Sequence, residues 1–293
     1  MSMRERITLV VTAICTLVVS MLVATQPAHA AVGLRVSGTR IVEANGNDFV
    51  MRGVSHPHVW YPHRTGAFAD IKAKGANTVR VVLSGGRWPA TTAGDLADVI
   101  DLCRRNRLVC VLENHDTTGY GEQGGAVTLD AAADFWIGLK SVLVGRENDV
   151  VINIGNEPVG NNPVTPDWTE ATIAAIQKLR DNGFEHLLMV DAPNWGQDWR
   201  FVMRDNAQRV FDADPRKNVV FSIHMYGVFD TAAEITSYID HFQNRGLPLV
   251  IGEFGHNHSD GDPDEDTIMS YARQKGVGYI GWSWSGNGGG VEY

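Results

Sequence analysis

What most limits this chain is an alternation. Eight short apolar, β-rich runs are separated by longer segments with helical spacing. The runs are Phe49–Val54, Thr78–Leu83, Val109–Glu113, Val150–Ile154, His186–Val190, Val219–Ile223, Leu249–Gly252 and Tyr279–Trp282. Between them the pattern predicts helices over Gly66–Lys74, Ala93–Arg105, Asp130–Leu143, Thr169–Asp181, Trp199–Ala207, Ala232–Asn244 and Asp264–Lys275. The runs are apolar almost throughout, the mark of strands buried on both faces. Such strands separated by helices build a parallel sheet. Eight of them in about 260 residues predict an α/β fold closed as a (β/α)8 TIM barrel.

Upstream, residues 34–51 read as short strands with turns at Ser37-Gly38 and Asn45-Gly46-Asn47. Pro166 and Pro263 stand where helices should begin. The chain ends at Tyr293, soon after the eighth run, so the expected barrel lacks its last C-terminal helix. No repeat or low-complexity linker divides residues 31–293, which are expected to form one catalytic domain.

The first thirty residues read as an address. Arg4 and Arg6 precede an apolar stretch from Ile7 to Ala24, and Ala28-His29-Ala30 fits a small-x-small cleavage site. A secretory signal peptide removed after Ala30 is expected, and with it a secreted, extracellular protein free of the membrane. Secretion would permit a disulfide between Cys103 and Cys110, expected at a helix end and in the following strand; two buried free thiols are the alternative. With 34 acidic and 25 basic residues the net charge is -9, which argues against a nucleic-acid partner. Eight tryptophans are many for 293 residues and point to a binding cleft.

In a barrel of this kind the active site lies at the C-terminal ends of the strands. Each run here leads into a polar or aromatic cluster: Ser55-His56-Pro57-His58-Val59-Trp60, Ser84-Gly85-Gly86-Arg87-Trp88, Asn114-His115-Asp116, Gly155-Asn156-Glu157-Pro158, Asp191-Ala192-Pro193-Asn194-Trp195, His224-Met225-Tyr226, Gly252-Glu253-Phe254-Gly255-His256 and Trp282-Ser283-Trp284. Glu157 and Glu253 end the fourth and seventh runs. A carboxylate beside an apolar run is costly unless it is paired or functional. The ends of those two strands face each other across a barrel mouth, and two facing carboxylates are the machinery of glycoside hydrolysis.

These motifs resemble glycoside hydrolase family 5 over nearly all of residues 34 to 293. Asn156-Glu157-Pro158 is similar to the family's acid/base motif and Gly252-Glu253-Phe254-Gly255 to its nucleophile motif. Arg80, His115, His224, Tyr226 and Trp282 match its remaining positions. More narrowly, Asn114-His115-Asp116-Thr117-Thr118-Gly119-Tyr120-Gly121-Glu122 and Gly281-Trp282-Ser283-Trp284-Ser285-Gly286-Asn287 resemble the bacterial secreted endo-β-1,4-mannanases. The resemblance implies retaining hydrolysis of a mannan-type polysaccharide, with endo-β-1,4-glucanase as the alternative.

It further implies that Glu253 is the nucleophile and Glu157 the acid/base, about 5–5.5 Å apart. Arg80 and Tyr226 are expected to orient Glu253, His224 to orient Glu157, Asn156 to bond the sugar 2-hydroxyl, and His115 to line the reacting subsite. Trp282 is the expected stacking floor. Trp60, Trp88, Trp195 and Trp284 are candidates for other subsites, whereas Trp136, Trp168 and Trp199 fall in helical stretches and are expected to pack.

No cofactor is required by this chemistry, and no phosphate loop or zinc spacing is present. The acidic run at Asp260–Asp266 reads as a helix N-terminus with Asp262 as cap and Pro263 at the first position. A structural calcium held by Asp264, Glu265 and Asp266 is the alternative. The expected partner is the polysaccharide substrate, and a monomer is expected.

Overall fold

In the computed structural model, which describes residues 33–285, an antiparallel hairpin of β1 (Arg35–Ser37) and β2 (Arg40–Val42) leads into eight parallel strands. These are β3 (Arg52–His56), β4 (Thr78–Leu83), β5 (Val109–Asn114), β6 (Val150–Asn153), β7 (Leu188–Asp191), β8 (Val219–Met225), β9 (Leu249–Phe254) and β10 (Gly278–Gly281). They pair in chain order, and β10 pairs back onto β3, closing the barrel. The fold expected from the alternation is the fold found. The signal peptide and any helix after β10 lie outside the described residues.

The helices are α1 (Ala67–Ala73), α2 (Ala93–Arg105), α3 (Leu129–Gly138), α4 (Lys140–Leu143), α5 (Trp168–Asp181), α6 (Val202–Ala213), α7 (Ala232–Asn244) and α8 (Glu265–Lys275). Thr92, Thr128, Asp167, Thr231 and Asp264 cap their N-termini with side-chain oxygens that accept backbone N–H bonds. Two expected starts are corrected by these caps. Pro166 precedes the cap Asp167 of α5, and Asp264, not Asp262, caps α8. The single helix expected over Asp130–Leu143 is two, interrupted at Leu139 directly after Gly138, a poor helix former.

Successive strand residues point alternately out to the helices and into the barrel. Val79, Val81 and Leu83 of β4, Cys110 and Leu112 of β5, and Phe221 and Ile223 of β8 join the outer core beneath the helices. Val111, Val151, Met189, Val220, Val250 and Ile280 fill the barrel interior, joined by Leu34 and Ile41 from the hairpin region. The next inward positions towards the strands' C-terminal ends are polar: Arg80, Glu113, Asn153 and Asp191, all fully or almost fully buried.

One strand departs from simple alternation, and the departure positions a candidate residue. Ile223 pairs with Ile251, but His224 pairs with Glu253, so Gly252 is an extra residue in β9. The bulge reverses the parity of the strand. Glu253, which would otherwise point to the helices with Leu249 and Ile251, therefore turns inward beside His224. A Cβ on Gly252 would lie 2.0 Å from Ser222 Oγ, so a side chain there would have to displace the serine hydroxyl towards its neighbours.

The expected disulfide is corrected. Cys103 in α2 and Cys110 in β5 are free, fully buried thiols of the outer core. Burial, and then a hydrogen bond with the Cys110 side chain, push the Cys103 thiol well above its usual range and keep it protonated. Trp136 and Trp168 pack in the core as expected, their indole N–H groups donating to the carbonyls of Ile154 and Asp191. No helix among the described residues is long and apolar enough to cross a membrane.

Candidate active site at the barrel mouth

The C-terminal ends of the strands surround a cleft of about 880 Å³. Glu157 and Glu253 face each other in it, and their nearest side-chain oxygens, with a ring nitrogen of His224, all lie within 4.8 Å of one another. Two carboxylates this close suit the arrangement in which one attacks while the other delivers a proton, about 5–5.5 Å between carboxyl groups, and not the wider one, about 6.5–9.5 Å, that leaves room for a water between them.

Glu253 is held at both oxygens. Arg80 Nη1 donates to Oε1 at 2.5 Å, and the Tyr226 hydroxyl donates to Oε2 at 2.9 Å. Burial pushes the Glu253 carboxyl above its ordinary value, and the charges of His224 and Arg80 oppose that rise while Glu157 adds to it. Burial together with the negative charges of Glu253 and Glu157 drives the Tyr226 phenol well above its usual value, so it remains a donor.

Glu157 stands at φ +41°, in the left-handed region that a glutamate rarely occupies. Such a backbone costs about 1–3 kcal/mol and persists only where its surroundings enforce it. Here the Gly119 N–H donates to the Glu157 carbonyl at 3.0 Å, and the Glu157 N–H donates to Asp191 Oδ2 at 3.3 Å. The side chain pairs with His224, whose Nδ1 lies 2.8 Å from Oε1. Burial disfavours charge on His224, but Glu253 and Asp191 outweigh it and push the imidazole up to about 10. His224 is therefore a cation at neutral pH.

Arg80 gathers the rest. It is fully buried, yet its Nε and Nη2 donate to Asn153 Oδ1 at 3.0 and 2.8 Å, and Nη2 donates to Asn156 Oδ1 at 2.7 Å. It also pairs with Asp191 at 3.2 Å and lies 3.8 Å from Glu113. Asn156 in turn donates through Nδ2 to Thr118 Oγ1. His115 is bonded by Glu113 at 2.9 Å and raised above its usual value, since burial opposes the charge and Glu113 more than restores it.

The aromatic residues divide into two groups. Trp282 stacks on His115 with ring centres 5.9 Å apart and planes 16° from parallel, and Trp60 and Trp88 close around the same histidine. Opposite them stand Trp195 and Trp199. Trp195 donates from its indole to Glu122 Oε2 at 2.8 Å, and Gly119 backs its ring so closely that a Cβ there would meet it at 2.4 Å. Trp199 donates to Asn161 Oδ1 at 2.8 Å.

The structure thus brings Arg80, His115, Asn156, Glu157, His224, Tyr226, Glu253 and Trp282 to one place, with Trp60, Trp88 and Trp195 on the cleft wall. Trp284 instead lines a separate depression with Tyr61 and His63. Trp199 is a correction: it lies in the loop before α6, not in a helix. Asp198 accepts the N–H groups of Met203 and Arg204 and so delays the helix start, leaving Trp199 free to line the cleft.

Sequence reasoning assigned no role to Asp191, Glu113 or Asn153. The detectable signal was a charged or amide residue inside a strand otherwise apolar on both faces. Asp264, offered for calcium, spends its carboxylate on the α8 cap. Glu265 turns instead to His256 at 3.3 Å, so the described residues do not gather Asp264, Glu265 and Asp266 around one point.

Residues 42–288 match the family model described as Cellulase (glycosyl hydrolase family 5). The chain belongs to glycosyl hydrolase family 5. Among the relatives of this family 5 hydrolase is the mannan endo-1,4-beta-mannosidase of Streptomyces lividans, 61% identical over 90% of this chain and 69% of that protein. The protein of the same name from Cellvibrio japonicus is 52% identical over 88% of this chain and 60% of its own length. The solved beta-mannanase from Thermomonospora fusca superposes with a TM-score of 0.87 at 66% identity, covering 90% of this chain and 88% of that one. Its mannotriose and mannohexaose complexes superpose at 0.86 with 64% identity over the same shares.

Proposed function

We propose that this family 5 hydrolase cleaves internal β-1,4-mannosidic bonds of mannan, galactomannan and glucomannan with retention of configuration. The observation that carries the reading is the facing pair Glu157 and Glu253, in contact distance of a shared histidine and inside a cleft with tryptophans at both ends. In the first step Glu253 attacks the anomeric carbon, the bond to the glycosidic oxygen breaks, and Glu157 protonates the departing oxygen. In the second, Glu157 takes a proton from water, whose oxygen attacks the same carbon and releases Glu253. Arg80 and Tyr226 hold Glu253 aimed through a hydrogen bond to each oxygen, so little reorganisation is needed when its charge is consumed. Asn156 is placed to bond the 2-hydroxyl, and Trp282 offers an apolar face to the sugar C–H bonds.

The choice of mannan rests on the names of the Streptomyces, Cellvibrio and Thermomonospora relatives and on the mannooligosaccharides bound to the last of these. An endo-β-1,4-glucanase is the second reading, because the matching family is itself described as cellulase and would use the same catalytic groups. Reducing-sugar release from galactomannan and carboxymethylcellulose, measured side by side, separates them. Release mainly from galactomannan is expected, and release mainly from carboxymethylcellulose would replace the reading with the glucanase. Proton NMR of the nascent product should show the β-anomer first.

The same reading places the enzyme outside the cell as a monomer, after removal of residues 1–30. N-terminal sequencing of the protein from culture medium should begin at Ala31, and a chain retained intact in the cells would overturn that part.

A further inference from the structure

Asp191 lies at the end of β7, is almost fully buried, and touches neither the cleft nor any position where a sugar could sit. Its two oxygens are nevertheless fully engaged. Oδ1 accepts from Asn153 Nδ2 at 2.9 Å. Oδ2 accepts hydrogen bonds from Arg80 Nη2 at 3.2 Å and from the backbone N–H of Glu157, in the loop after β6, at 3.3 Å, and it forms an ion pair with the His224 ring, whose Nε2 lies 3.2 Å away. Two of the three lead to Glu157. His224 carries the carboxylate oxygen of Glu157 on its other ring nitrogen, at 2.8 Å. The backbone contact holds the residue itself, which occupies a left-handed conformation. Asp191 therefore grips Glu157 at both ends of its side chain, through the main chain at one end and through the imidazole at the other.

We propose that Asp191 is a positioning residue for proton transfer, fixing the Glu157 backbone and the His224 ring as one unit so that the Glu157 carboxyl stays aimed at the glycosidic oxygen. The inference rests on the reading of Glu157 as acid/base. It assigns Asp191 to that half of the machinery although Asp191 also touches Arg80, because Arg80 has four further hydrogen bonds to keep it in place. The Glu157 N–H has no second acceptor among the described contacts, and the acidic partner at His224 Nε2 is Asp191. An Asn at this position preserves the shape but offers one oxygen where two are used. Either the groups around Oδ2 or Asn153 Nδ2 then face an NH₂ group.

The test separates the two halves of the reaction. An aryl mannobioside with a dinitrophenol leaving group departs without protonation, whereas mannohexaose needs the acid. General acid catalysis contributes about 10²–10⁴-fold, so Asp191→Asn should lose on the order of 10- to 100-fold in kcat on mannohexaose, with KM little changed. On the dinitrophenyl substrate the first step should be nearly unaffected. Added azide, which attacks the glycosyl-enzyme without a base, should accelerate turnover and yield the β-glycosyl azide.

Equal losses on both substrates with no response to azide would overturn the proposal and place Asp191 with Arg80 and the nucleophile. Glu157→Ala is run alongside. If it shows the azide response and Asp191→Asn does not, the positioning role fails while the acid/base reading stands. If Glu157→Ala itself shows none, the acid/base reading fails and the proposal with it. Should Asp191→Asn not fold, Asp191→Ser, which leaves room for a water in place of the carboxylate, is read in the same way.

Discussion

Replacing Arg80 by leucine tests whether the site is held by buried charge. Its guanidinium makes five hydrogen bonds, to Asn153 twice and to Asn156, Asp191 and Glu253 once each, and it has no exposure to water. Leucine fills part of the volume but leaves the Asp191 and Glu253 carboxylates without their guanidinium partner. Removing one member of a buried ion pair costs about 3–5 kcal/mol, because the other charge is left uncompensated. At about 2–4 °C per kcal/mol for a domain of this size, the melting temperature should fall by roughly 6–20 °C. The second consequence concerns acidity. Burial already raises the Glu253 carboxyl, and Arg80 is one of the three charges, with His224 and His115, that hold that rise in check. Without it the carboxyl should rise further, so the acid limb of the kcat/KM profile should move to higher pH. Differential scanning calorimetry and a pH–rate profile on mannohexaose measure both. A variant that melts within a few degrees of the parent and keeps its acid limb would refute the argument that this guanidinium balances the buried carboxylates.

Four further outcomes are expected. Glu253→Ala should lose at least about 10⁴-fold in kcat, as expected when a nucleophile and its covalent intermediate are removed, and added formate or azide should restore turnover with inverted product seen by NMR. Gly252→Ala should lower both melting temperature and kcat, because its Cβ would fall 2.0 Å from Ser222 Oγ and 3.4 Å from His224 Nε2 beside the bulge that turns Glu253 inward; the double variant Gly252→Ala, Ser222→Gly should recover part of the loss, and a single variant with parent stability and activity would refute the crowding argument. Trp199→Ala should raise KM for mannohexaose several-fold while leaving that for mannotriose near its parent value, since Trp199 is half exposed at the cleft's edge.

The fourth concerns pH and stability. His224 rises in the folded state from 6.5 to about 10, so its contribution is fully present below pH 6.5 and is lost as the pH climbs to about 10. Asp191 falls from 3.8 to about 2, so its contribution is present above 3.8 and lost as the pH drops to about 2. Urea unfolding across both windows should find His224→Asn less sensitive than the parent to the alkaline one.

The barrel and most of its site were legible because both follow from patterns that local chemistry enforces. A parallel strand must be apolar on two faces, so runs such as Val-Ile-Asn-Ile and Leu-Val-Ile-Gly stand out, and the residues that follow such a strand come to the barrel mouth whatever their identity. Glu157, Asn156, His224 and Trp282 could be placed on that ground alone. Trp199 could not, because its neighbours do carry helical spacing. The decision to start α6 later is made by Asp198, whose carboxylate finds the Met203 and Arg204 N–H groups only in the folded chain.

Glu253 shows a subtler limit. Counting by twos from Leu249 or Ile251 sends Glu253 outward to the helices, and its correct placement depends on an extra residue against β8 that no one-dimensional period contains. The sequence did hold a sign of it, a glycine directly before a carboxylate at the end of a buried strand. A bulge needs a residue without a side chain where backbones crowd, and Ser222 is what crowds this one. Asp191 and Asn153 were hidden for the opposite reason. Each obeys the alternation and faces inward like the valines and methionines below it, so their register is ordinary and only their polarity is not. A buried polar residue is retained at a cost unless every donor and acceptor is met. Here both Asp191 oxygens accept hydrogen bonds from β4, β6 and the Glu157 backbone, the Asn153 amide is met by β4 and β7, and His224 of β8 adds its charge beside Asp191. Partners spread over that many elements cannot be assigned from spacing along one strand. They do follow once the barrel is closed, because closure is what puts the inward ends of neighbouring strands within hydrogen-bonding distance.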